Sequence, residues 1–155
     1  MIYNYENIVV GCGNILFKDD GFGSTVINTM LKNKVDIPKN TKVIDGSTGS
    51  VQHIFSLPSP KWEKIILVDV VEFNSTPGTI KTFKIDQIQK EDKNILSIED
   101  INPINMLHLL KDKYDITIVA CQPKLITTPE INIGLTEPVE KSIPYAIKCI
   151  QKILN

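Results

Sequence analysis

Apolar residues in this chain alternate between short unbroken runs and stripes spaced by three and four, a pattern that predicts strands and helices in turn. Ile8-Val9-Val10 predicts a first strand over 7–10, apolar throughout, as burial on both faces requires. Phe22, Val26, Ile27, Met30 and Leu31 then form one helical stripe, which Pro38 prevents from continuing. A second strand is expected over 41–45 (TKVID), broken by Asp45-Gly46, and a short helix over 50–57, closed by Pro58 and Pro60. The strongest apolar run, KIILVDV at 64–70, reads as the central parallel strand. After Pro77-Gly78 the weak alternation over 79–85 reads as an edge strand, antiparallel to its neighbour because the turn is close. Residues 87–99 are polar and without period. A helix is expected over 103–111 with Pro103 in its first turn, and a last inner strand over 116–121. Thr136 opens a terminal helix with Val139, Ile143, Ile147, Ile150 and Leu154 on one face, and Pro144 inside it predicts a kink. The fold class that follows is α/β. It is a single-domain three-layer sandwich over 1–155, with a mostly parallel twisted sheet of about five strands, one antiparallel edge strand and helices on both faces.

Composition narrows the classes of function. With 155 residues, 42% hydrophobic and 23% charged, the chain has the make-up of one soluble globular domain. Its 17 basic and 18 acidic residues give a net charge of −1, so there is no basic footprint for nucleic acid. No apolar run approaches the roughly 20 residues that span a bilayer, and MIYNYEN has neither the basic nor the apolar region of a secretory signal. Three cysteines without metal-ligand spacing argue against a disulfide framework or a zinc knuckle. The expectation is a cytoplasmic monomer with no membrane partner.

The chemistry concentrates in GCGNILFKDDGFG, residues 11–23, between the first strand and the first helix. Gly11 and Gly13 permit close approach, and Asn14 can tie the loop to itself through its side chain. A dinucleotide fingerprint would need a third glycine at position 16, which is Leu16, and no Gly-Lys-Ser/Thr follows for a phosphate loop. Asp19 and Asp20 stand just before the helix, where either could act as its cap. In an open α/β sheet, sites form beyond the carboxyl ends of the strands, which draws Asp20, Asp45 and Asp69 towards one rim. Asp45 reads first as an Asp-Gly turn residue. Asp69, set in apolar surroundings where an unpartnered carboxylate is expensive, reads first as functional. Converging carboxylates suit a hard cation, whereas nickel and zinc favour at least one imidazole. Cys12 and Cys121 read as packing residues, since an acidic rim does not activate a thiol. His53 and His108 read as ordinary helix histidines. No Ser–His or Cys–His pair can be assembled, and HExxH is absent.

The loop resembles the G-x-G-N-x-L-x-x-D-(D/E)-G-x-G signature of the hydrogenase maturation endopeptidases. DGSTG at 45–49, IILVDVVEF with its Pro77-Gly78-Thr79 turn, and IGLTEPVEKSIPYAI at 133–147 follow in that family's order. The resemblance spans nearly the whole chain. It implies an endopeptidase that removes the C-terminal extension of a nickel–iron hydrogenase large-subunit precursor once nickel has been inserted. It implies a metal site in which Asp20 and Asp69 match two of the family's ligands. The family's third, a histidine, is replaced by position with Asp100, and His108 is the alternative. Gly11, Gly13, Asn14, Asp45, Gly46 and Thr48 would then form the substrate-binding loops. The nickel would come with the precursor, with no tightly bound metal in the isolated protein. The competing expectation is a non-catalytic, nickel-dependent assembly chaperone on the same fold, and behind it a small-molecule enzyme on a similar scaffold.

Overall fold

The computed structural model describes residues 5–47, 62–87 and 112–155. Among them, β1 (Asn7–Cys12), β2 (Thr41–Ser47), β3 (Lys64–Val70), β4 (Ile80–Lys84) and β5 (Asp115–Cys121) form one sheet in the order β2-β1-β3-β5-β4. β1 runs parallel to β2 and β3, β3 runs parallel to β5, and β4 lies antiparallel on β5. The most apolar run is therefore the central strand.

Alternation of side chains across the sheet divides the core in two. Val9, Ile66, Val68, Val119 and Cys121 face α1 (Phe22–Lys32) and α2 (Glu137–Leu154), which bring Phe22, Val26, Ile27, Met30, Val139, Ile143, Ala146 and Ile150. On the opposite face Ile8, Val10, Ile65, Leu67, Ile116 and Ile118 pack with Trp62, Val71 and Ile85. Strands buried on both faces must be apolar at every position, so these read as runs rather than alternations. The helices expected over 50–57 and 103–111, with His53, His108, Thr48 and Asp100, lie outside the described residues. No helix among the described residues is long and apolar enough to cross a membrane.

Four expectations change. β1 runs on to Cys12, and β2 does not break at Asp45-Gly46 but continues to Ser47. Cys12 pairs with Ser47 across a register shift, which absorbs the turn residues into the ladder. The edge strand pairs with β5, not with β3 from which its turn departs, because the later β5 inserts between the two. Leu31 drops out of the buried stripe and is exposed on the last turn of α1. The terminal helix stands where it was expected, α2 running through Pro144 as one 18-residue element.

Candidate active site at the carboxyl rim

The strand order reverses direction between β1 and β3, and both strands end at the same rim. The loop leaving β1 is packed onto the sheet rather than projecting from it. A Cβ on Gly23, in the first turn of α1, would lie 2.3 Å from the carbonyl oxygens of both Cys12 and Val68. Only glycine lets the helix start this close to two strands. Gly11 is buried in β1 below that contact, so it sets the helix position and offers no surface to a substrate.

Gly13 has φ +105°, and a Cβ there would lie 2.0 Å from the Asp20 carbonyl oxygen. Asn14 Oδ1 accepts from Leu16 N at 2.9 Å, and Asn14 N donates to Asp20 Oδ2 at 3.0 Å. The loop thus closes on itself around the Asp20 carboxylate. Gly13→Ala combines a disfavoured φ with a backbone collision. It should destabilise the protein by about 2 kcal/mol or more, read by urea denaturation.

Asp20 and Asp69 are brought together. Asp20 sits in the single 3₁₀ turn Asp19–Gly21, and Asp69 is the penultimate residue of β3. Burial raises the Asp20 pKa, against the opposing pull of the Asn14 N–H. Burial, and then the negative charge of Asp20, push Asp69 up to about 8, with only the Val70 N–H at 2.8 Å opposing them. Two carboxylates in one desolvated place cannot both ionise freely, so the second proton is held until near neutral pH or above.

Asp45 takes another course. Its oxygens accept from Ser24 Oγ at 2.7 Å, Asn28 Nδ2 at 3.1 Å, and Ser47 N and Oγ at 3.2 Å each. Burial would raise its pKa, but these hydrogen bonds outweigh it and hold the carboxyl low. Asp45 therefore clamps β2 to α1, and Gly46 is buried in the strand beside it. Neither joins the acid pair. Burial pushes the Cys121 thiol up to about 11, despite its contact with Ser142, which leaves it a packing residue.

Sequence reading misassigned Asp19, expected only as a possible helix cap, and missed Gln122. Asp19 is fully buried and does not cap the helix that follows it. It accepts from Lys124 N and Leu125 N at 2.9 Å and from Thr136 N at 2.8 Å, and Thr136 Oγ1 lies 2.9 Å from both of its oxygens. Asp19 thereby pins both ends of residues 123–136, the strap between β5 and α2, to the glycine loop. Gln122, also buried, accepts from Phe73 N and Ser75 N and donates to Glu72, fastening the loop that follows Asp69. Adjacency of two aspartates was a signal that their roles must differ. Nothing local marked Gln122.

A family model described as hydrogenase maturation protease matches residues 26–153. The chain belongs to the hydrogenase maturation protease family. The matched span contains Asp69, while the glycine loop with Asp20 precedes it. The chain is 46% identical to coenzyme F420 hydrogenase subunit delta of Methanothermobacter thermautotrophicus, over 97% of this chain and 95% of that one. It is 35% identical to a Methanocaldococcus jannaschii protein that carries the provisional name hydrogenase maturation protease, over 92% of each. The crystal structure of the [NiFe] hydrogenase maturation protease HycI from Thermococcus kodakarensis superposes with a TM-score of 0.75, covering 96% of this chain and 92% of that one. At 18% identity that likeness establishes the shared fold. The class of activity is proteolysis in hydrogenase maturation.

Proposed function

We propose that this family member is the endopeptidase that trims the C-terminal extension of a nickel–iron hydrogenase large-subunit precursor after nickel insertion. The relative named coenzyme F420 hydrogenase subunit delta supports the large subunit of a hydrogenase of that kind as the substrate. One observation carries the reading: a mutually repelling pair, Asp20 and Asp69, at the switch point of the sheet in a chain of this family.

The donor set fits a cation that arrives with ligands of its own. Among the described residues no group of three His, Cys, Asp or Glu side chains could hold a metal. Two carboxylates alone bind nickel poorly, since that ion favours imidazole and thiolate over oxygen. Nickel presented by the precursor on its own thiolates would need only the two additional oxygens. Asp20 and Asp69 would then recognise the loaded metal and set the scissile segment beside it, a metal-assisted, aspartic-type device. Asp100 would complete the set in place of His108. Asp100→Ala should abolish cleavage and His108→Ala should leave it intact, and the reverse pattern would transfer the role to the histidine.

The test uses the conversion of precursor to its shortened form on a gel. The isolated protein should purify nearly free of metal and leave generic peptides uncut with added zinc or nickel. Nickel-loaded precursor should be cut, and nickel-free precursor should persist. Equal cleavage of both would refute recognition through nickel, and tightly held zinc would identify a conventional metallohydrolase.

A further inference from the structure

Six large apolar side chains are exposed among the described residues, and four belong to the glycine loop or to the strap pinned against it. They are Ile15 (52% exposed), Leu125 (47%), Ile131 (69%) and Ile133 (67%). The other two, Leu31 and Tyr145, lie on the helices. Single exposed apolar residues are ordinary, but a concentration beside a candidate site marks an interaction surface.

The strap is held rigidly. Lys18 N donates to Asn132 O at 2.7 Å, Asn132 N donates to Leu16 O at 2.8 Å, and Asp19 N donates to Leu125 O at 3.0 Å. Phe17 with Asn132, and Lys18 with Ile126, form short bridges of sheet. Ile131 and Ile133 flank the doubly bonded Asn132, so their backbone is fixed while both side chains remain in solvent. A preorganised apolar surface loses little conformational freedom on binding.

We propose that this strap, anchored by Ile131 and Ile133 with Ile15 and Leu125 beside them, is the surface on which the folded body of the precursor docks. The proposal rests on the reading of the protein as a precursor-trimming protease. The strap is bonded to residues 16–19, immediately before Asp20, so a protein whose scissile segment reaches the acid pair comes within reach of it. Two carboxylates offer little contact area, whereas stable recognition of a folded protein takes about 800 Å² on each side. An apolar face selects an apolar protein surface over an ion or a charged small molecule.

The test compares wild type with Ile131→Asp/Ile133→Asp, and with Leu31→Asp as a control at the far end of α1. All three positions are exposed, so thermal melting should be unchanged. With nickel-loaded precursor, the double variant should raise KM by about tenfold or more while kcat at saturation stays at the wild-type value. Leu31→Asp should leave both unaltered. Unchanged KM in the double variant, with normal cleavage by wild type, would overturn the surface and leave the protease reading intact. A wild-type dimer on gel filtration, dissociated by the double substitution with KM unaffected, would assign the strap to a second copy and also overturn it. If wild type cuts no precursor, calorimetric titration separates the two ideas. Precursor binding that the double variant loses sustains the surface without the protease reading, and absence of binding by wild type rejects both.

Discussion

Asp69→Asn should lower precursor cleavage by about a hundredfold or more, and Asp20→Lys should abolish it. The amide keeps the shape of the side chain but cannot release a proton to face a cation, and the lysine repels the cation outright. The pH dependence follows from the same residue. In the free enzyme Asp69 is pushed up to about 8, first by burial and then by Asp20, so cleavage should rise with pH until about that value. Stability should move the opposite way. Because the folded-state pKa exceeds the unfolded value near 3.8, the protonated acid favours the folded chain. That contribution is fully present below pH 3.8 and is lost as pH rises through about 8. Asp69→Asn stays neutral, so it should lack this decline and be more stable than wild type above pH 8. Asp20→Asn removes the repelling charge and should shift the decline to lower pH. Urea titrations from pH 4 to 9 on the three proteins decide the matter. Parallel profiles for wild type and Asp69→Asn would show that Asp69 does not hold its proton.

The second large effect is structural. Asp19→Ala should destabilise the protein by about 3–5 kcal/mol, because it strands buried donors rather than merely deleting a contact. The amides of Lys124, Leu125 and Thr136 and the Thr136 hydroxyl all converge on this one carboxylate. Thr136 is also the N-cap of α2, so the loss should spread into the first turn of that helix. Asp19→Asn keeps acceptor oxygen on one side and turns an NH₂ group towards donors on the other, so it should fall between alanine and wild type. Hydrogen exchange should accelerate at the amides of Lys124, Leu125 and Thr136 ahead of the β3 amides. A loss below about 1 kcal/mol in Asp19→Ala would mean that solvent or a neighbour satisfies those donors.

The layout of the sheet could be read from the chain because its cause is local. A strand buried on both faces must be apolar at every residue, so Ile8-Val9-Val10 and Ile65-Ile66-Leu67-Val68 announced a parallel core. The glycine loop was equally legible, since Gly13 must supply a positive φ and Asn14 bonds to a residue only two positions away. Pairing across the sheet was not. The turn at Pro77-Gly78 suggested β3 as the partner of β4, but β5, much later in the chain, takes the place between them.

The division of labour among the aspartates likewise belonged to tertiary structure alone. Asp19 and Asp20 are chemically identical neighbours in sequence. One becomes an anchor because backbone donors from residues 124–136 converge on it, and the other stays at the rim with Asp69. Asp45 lies near the end of the second strand, where the chain drew it towards the same rim, yet Ser24 and Asn28 of α1 claim its oxygens. Gln122 carried no signal, because its partners lie in the loop around Phe73 and Ser75. Burial and backbone geometry are dictated by residue type and short spacing, so sequence determines them. Which carboxylate becomes an anchor and which an acid depends on donors from distant segments, and only the folded chain brings those together.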